Sequence, residues 1–143
     1  MTAAIRPATA DDAPGLTACI DAAYAPYVAM GLDLPPVSEG IAADIRDHHV
    51  WVAKQSDQIV GGVVLVLGDA AHLANLAVHP DAGGQGLGQA LIATATNAAR
   101  AAGYDRLYLA THHKMTGTQA FYRRLGWAEA GRDGNKVYFE IAI

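Results

Sequence analysis

The chain has 143 residues, 52% of them hydrophobic and 17% charged, enough apolar mass for one domain spanning residues 1–143 with a full core. Lys and Arg number 10 against 14 Asp and Glu, a net charge of −4, and no basic stretch is interleaved with aromatics, so nucleic acid is not an expected partner. No apolar run reaches the ~18 residues of a bilayer span, the first residues lack the layout of a secretory signal, and the single Cys19 can form no internal disulfide; we expect a cytoplasmic protein without a membrane partner.

In chain order, Ile5 to Ala8 predicts a short strand, and Thr9 followed by Asp12 marks a helix start. Leu16, Ile20, Ala23, Tyr24 and Tyr27 recur at helical spacing, and Cys19 falls among them as a small buried hydrophobe. Gly31 to Pro36 breaks that helix, and Ser38 is read as the cap of a second one carrying Ile41 and Ile45. Val50 to Lys54 and Ile59 to Leu67 are β-branched runs joined by a hairpin turn at Ser56-Asp57-Gln58. After Gly68-Asp69, His72 to Val78 forms the next strand, in which strict alternation puts His72, Ala74 and Leu76 on one face. A helix from Gly86 to Ala102 presents Leu87, Leu91, Ala95 and Ala98 on one side and stops at Gly103. Arg106 to Thr111 is a strand, Thr116 to Gln119 has the form of a capping box opening a helix that ends at Gly126, and Asp133-Gly134-Asn135 turns between two last strands, the second being Lys136 to Ile141. A strand, a helix and a strand in the middle imply one parallel pair, with hairpins elsewhere.

The most informative run is Val78-His79-Pro80-Asp81-Ala82-Gly83-Gly84-Gln85-Gly86-Leu87-Gly88, a strand end, a proline turn, then four glycines leading into a helix. Glycines let successive amides point into one concavity, and the helix behind contributes the positive end of its dipole, so the run predicts a phosphate site. A Walker loop is excluded because Gln89 and Ala90 stand where Lys and a hydroxyl are required. A dinucleotide fingerprint fails as well, with Gln89 or Leu91 at its third position. Six histidines include the pairs His48-His49 and His112-His113, but neither has the spacing of a metal site, and we expect no metal.

The Gly-rich run, with Gly86 and Gly88 at the matching positions, resembles the pyrophosphate loop of the GCN5-related N-acetyltransferases, and Phe121-Tyr122-Arg123-Arg124-Leu125-Gly126-Trp127 is similar to that family's Tyr-x-x-x-Gly-Phe segment. The resemblance covers essentially the whole chain and implies an α/β mixed sheet of about seven strands, mostly antiparallel with one central parallel pair, and about four helices. It departs from the family at Gly83, where Arg or Gln is usual, at Trp127 in place of Phe, and at Met115, where many relatives carry an asparagine.

The resemblance also implies acetyl-CoA as the donor and a primary amine of a small molecule or peptide as the acceptor. Leu76, Ala77 and Val78 match the strand that pairs with the pantetheine arm, and Gly83, Gly84, Gln85, Gly86, Leu87, Gly88 and Gln89 match the pyrophosphate loop. Tyr122 matches the tyrosine proposed to protonate the leaving thiolate, unless it is simply a core aromatic. His72 aligns with the catalytic glutamate of histone-acetylating members; Ala110 occupies the position of a glutamate used by bacterial protein-acetylating ones, and His112 or His113 could serve as base instead. Tyr24, Tyr27, Met30 and Leu32 are the candidate acceptor-binding residues, and Asp33, Glu39, Asp44 and Asp47 against Arg46 form a stretch that is either an acidic rim for a cationic amine or a solvated helix face. A non-catalytic acyl-CoA-binding module and an acyltransferase for longer acyl groups are the alternatives. A homodimer is consistent with family habit, although nothing in the sequence fixes the oligomeric state.

Overall fold

The computed structural model describes residues 3–34 and 38–143. Its elements are β1 (Ala4–Pro7), α1 (Ala13–Ala29), α2 (Ile41–Asp47), β2 (His49–Gln55), β3 (Gln58–Leu67), β4 (Ala71–Val78), α3 (Leu87–Ala101), β5 (Arg106–His112), α4 (Thr116–Arg124), β6 (Ala128–Asp133) and β7 (Lys136–Ala142). Pro35 and Pro36, part of the expected break after the first helix, lie outside the described residues. The strands form one sheet in the order β1-β2-β3-β4-β5-β7-β6. Only β4 and β5 run parallel, as the intervening helix requires.

Both faces of the sheet are buried, by different helices. Val63, Leu65, Leu107, Leu109, Val137 and Phe139 share a cluster with α3 and with Tyr122 of α4. Val50, Val52 and Val64 share a second cluster with Leu16 and Ile20 of α1 and Ile41 of α2. Two adjacent glycines in β3 permit this double packing. A methyl group on Gly61 would stand 3.1 Å from Leu91 of α3, and one on Gly62 would overlap the side chain of Leu16 from α1. Any larger residue would lift one helix off the sheet.

The start of α1 is fixed by charge. The Asp12 carboxylate accepts from both terminal nitrogens of Arg6, at 2.7 and 2.9 Å, and from the Thr9 amide at 2.7 Å. Hydrogen bonding from Arg6 is the largest of the effects that hold this buried carboxyl well below the usual carboxylate range. Pro26 sits inside α1 and cannot donate to the preceding turn, one turn before the helix ends at Ala29.

Two expected caps are corrected. Gly40, not Ser38, occupies the N-cap of α2. Gln119 does not close a box with Thr116, because its side-chain amide donates to the carbonyls of His112 and His113 at 3.2 and 2.9 Å, anchoring the turn between β5 and α4.

One correction bears directly on the site. Leu65 pairs with Leu73 but Val64 pairs with Asn75, so Ala74 is the extra residue of a β-bulge. Before the bulge Ala71 and Leu73 face the α3 and α4 cluster; after it Leu76 and Val78 do, while Ala77 joins the α1 cluster. His72 and Leu76 therefore lie on opposite faces, contrary to the alternation expected for this strand.

Candidate active site

The parallel pair is brief. Only Ala71 with Leu107 and His72 with Tyr108 are in register, after which β4 and β5 part. A cleft of about 580 Å³ fills the opening. One wall is Leu73 to Val78 of β4, the other Leu109, Ala110 and Thr111 of β5. From Leu73 onward β4 has no strand partner on its β5 side among the described residues, a geometry that suits an extended ligand.

The Gly-rich turn closes one end. Gly83, Gly84, Gly86, Leu87, Gly88 and Gln89 line the cleft. Gly84 and Gly86 have φ of 77° and 76°, a region that L side chains adopt only with strain. Among the described residues, no main-chain carbonyl accepts from the amides of Gly84 to Gln89; the first return bond of α3 is from Ala90 to the Gly86 carbonyl. Gly88 permits a close helix approach, since a methyl group there would stand 3.2 Å from the Phe121 ring of α4. Gln85 alone of the turn does not line the cleft, and its side-chain carbonyl accepts from Gln55 at 3.3 Å, tying the loop to the β2–β3 hairpin. The helix-start amides of Gly84, Gly86, Leu87, Gly88 and Gln89, which meet no main-chain acceptor among the described residues, line the cleft and suit a diphosphate, and the slot along β4 suits the arm attached to it.

Tyr122 lines the other end. Its ring is boxed by Phe121, Trp127 and Phe139, at centroid distances of 5.4, 5.7 and 6.1 Å. Burial, with a smaller contribution from Tyr24, pushes its phenol far above the usual range for tyrosine. The group therefore stays protonated across the physiological range.

Of the expected acceptor residues, Tyr24 and Tyr27 reach the cleft, their rings 6.3 Å apart. Met30 and Leu32 do not line it, and Met30 is 70% exposed beyond the end of α1. None of Asp33, Glu39, Asp44 and Asp47 lines it either, and Asp47 is held by Arg46 at 3.0 Å on the exposed surface. His72 stands outside this cleft, exposed, with its ring 5.8 Å from Tyr108 on the opposite sheet face from Leu76. His112 is buried, its Nδ1 accepts from the Lys114 amide at 3.1 Å, and His113 stacks on it at 4.9 Å, so this pair braces the turn before α4.

Residues that sequence reasoning missed are Thr111, Thr118, Phe121 and Arg124. Gly117, Thr118, Phe121 and Tyr122 follow the one-turn spacing of a single α4 face, which was the available signal. Arg124 is the one charged side chain lining the cleft among the described residues, and it takes part in no ion pair there. Met115, at the usual asparagine position, lines the cleft as a buried thioether.

A parted parallel pair, a glycine-rich helix start and a buried phenol share one cleft, an arrangement suited to a transferase that holds an acyl group on a long phosphorylated carrier. The model of the Acetyltransferase (GNAT) family matches residues 18–127. The aminoalkylphosphonate N-acetyltransferase of Salmonella typhimurium is 32% identical over 108 residues, 69% of this chain and 70% of that one. The PaiA N-acetyltransferase of Thermoplasma acidophilum, solved in complex with coenzyme A, has the same fold, with a TM-score of 0.89, 18% identity and full coverage of both chains (100% each). A GNAT-family acetyltransferase from Staphylococcus aureus superposes with a TM-score of 0.84 at 19% identity over 98% of each chain. The chain belongs to the GNAT acetyltransferase family. It is an acetyl-CoA-dependent N-acetyltransferase.

Proposed function

We propose that the enzyme acetylates a primary amine of a small molecule or peptide by direct attack, with the amides of Gly84 to Gln89 on the diphosphate, β4 residues Leu76 to Val78 along the pantetheine arm, Tyr122 at the sulfur and His72 on the amine side. Acetyl-CoA, when bound, would supply a thioester whose C–S bond is exchanged for a C–N bond; an ammonium acceptor gives up two protons, one passing to water by way of His72 and one ending on sulfur. The observation that carries this reading is the parting of β4 and β5 directly after His72 and Tyr108, with the glycine-rich turn, whose amides meet no main-chain acceptor among the described residues, and Tyr122 lining the same opening.

The residues divide the work by position. The amides and the open β4 edge hold a ligand in one direction, and fixed orientation is itself a large part of rate enhancement. Tyr122 meets negative charge as it develops on sulfur. Because burial raises its phenol, while an ordinary thiol ionises near ~8.5, it is suited to donating a strong hydrogen bond rather than to surrendering a proton early. His72 stands exposed on the sheet face away from Leu76, where it can take a proton from an incoming ammonium and pass it to water.

Thiol release from acetyl-CoA with a panel of amines tests the reading. The panel should include 2-aminoethylphosphonate, because the Salmonella relative is named for aminoalkylphosphonates. Tyr122→Phe should bind coenzyme A as the parent does and turn over about 10- to 1000-fold more slowly. Equal turnover would remove Tyr122 from the chemistry, and binding without release on any amine would favour a non-catalytic module.

A further inference from the structure

Adjoining the first cleft, the sheet carries a second cavity of about 570 Å³ that opens on the face bearing His72, Tyr108 and Tyr138. Its walls are Val66, His72, Tyr108, Tyr138 and Phe139. Its floor is Leu73 and Ala74 of β4 with Leu109 and Ala110 of β5, and these same four residues line the acyl-carrier cleft. The two cavities are thus two mouths of one gap between the parted strands. Among the described residues, none of α1 or α2 lines the second mouth.

Strand alternation explains why it is aromatic. Leu107, Leu109, Val137 and Phe139 turn toward α3 and α4, which sends Tyr108, Ala110, Tyr138 and Glu140 to the other face. Ala110 pairs with Tyr138 and Tyr108 with Glu140, while Val66 pairs with His72. The result is a small residue at the gap, flanked by two phenol rings and an imidazole.

Charge is what selects the ligand here. Among the described residues, no Asp, Glu, Lys or Arg lines the cavity. Glu140 is the acidic residue paired across from Tyr108, and it faces the Arg106 guanidinium at 3.5 Å. The acidic stretch around α2 lines neither mouth. A polyamine would leave its second ammonium without a counter-charge, and an aminoalkylphosphonate would leave its dianion without a free cation. An aromatic or aliphatic body loses no solvation of charge on entering and stacks on Tyr108 and Tyr138.

We propose that the acceptor is a primary monoamine borne on an aromatic or aliphatic body, which lies against Tyr108 and Tyr138 and sends its amino group through the gap at Ala74 and Ala110. This rests on the acetyl-transfer reading and adds the substrate class. His72, at the same mouth and 5.8 Å from Tyr108, then stands beside the amine as it enters.

Two measurements separate the two claims. First, 2-phenylethylamine, hexylamine, spermidine and 2-aminoethylphosphonate are titrated calorimetrically into the coenzyme A-saturated protein; second, the same amines are assayed for thiol release. We expect the first two to bind at least ~10-fold more tightly than the last two, and to lead in kcat/KM. Tyr138→Ala should weaken phenylethylamine about 10-fold, mainly in KM, with coenzyme A affinity unchanged. Tyr138→Glu, checked for folding by its melting curve, should shift preference toward spermidine. Tighter binding of spermidine or the phosphonate by the parent, or insensitivity of phenylethylamine to both variants, would overturn the proposal. Binding of phenylethylamine in the expected order without thiol release would instead support the cavity assignment and count against acetyl transfer.

Discussion

Removing the Tyr122 hydroxyl leaves the box of Phe121, Trp127 and Phe139 filled, so Tyr122→Phe should melt close to the parent while losing turnover. The direction of the shift on this phenol sets the pH dependence. A raised value means the donor form persists at alkaline pH, so kcat should show no falling limb attributable to Tyr122 up to about pH 10, the ordinary tyrosine value. A pH–rate profile of the parent and of Tyr122→Phe checks this; a limb near pH 9 that disappears in the variant would contradict it. His72→Ala should lower kcat/KM while leaving coenzyme A affinity unchanged, and an unchanged kcat/KM would exclude His72 as base. Arg124 stands alone in the cleft, so Arg124→Ala should weaken coenzyme A by about 2- to 10-fold in a salt-dependent way while sparing kcat. Asp12 obeys the reverse sign from Tyr122. Its depressed folded value means the Arg6–Asp12 pair stabilises fully above the unfolded carboxyl value of about 4, and that stabilisation fades as pH falls below it. The melting temperatures of the parent and Asp12→Asn should therefore differ at pH 7 and converge toward pH 2.

Among the elements, β3 is the most constrained by what it carries. Gly62→Val would drive a side chain into Leu16 and should cost about 1–3 kcal/mol by chemical denaturation, whereas Gly134→Ala has open space and should show only the mild penalty of its positive φ. This difference was not legible beforehand, because Gly61 and Gly62 read as small residues in a β-branched run and only the assembled helices reveal the contact. The parallel pair, the hairpins and the glycine turn before α3 were legible, since each rests on local spacing and turn chemistry. The face of His72 was not. Ala74 carries no feature that marks a bulge, yet one extra residue reverses every side chain beyond it. Gln119 illustrates a different failure. Its spacing from Thr116 suited a local cap, but the carbonyls of His112 and His113 offered a better pair of acceptors once the β5–α4 turn had closed. Met30 and Leu32 were expected at the acceptor for the apolar surface they offer between the first two helices; α1 ends at Ala29, and neither residue lines the cleft.

At the scale of the whole molecule, two helix layers hold a sheet that is continuous except where β4 and β5 part, and both functional cavities use that one interruption. In the proposed reading, carrier and amine approach from separate mouths and meet between the parted strands, and the anchor is a diphosphate seat at Gly84 to Gln89. Calorimetric titration of the folded protein with coenzyme A and, separately, with pantetheine measures that seat most directly. Charge-assisted hydrogen bonds of about 1.5–3 kcal/mol each predict one coenzyme A per chain, bound at least ~100-fold more tightly than pantetheine. Equal affinity for the two, or no uptake of coenzyme A by protein with an intact melting transition, would contradict the account.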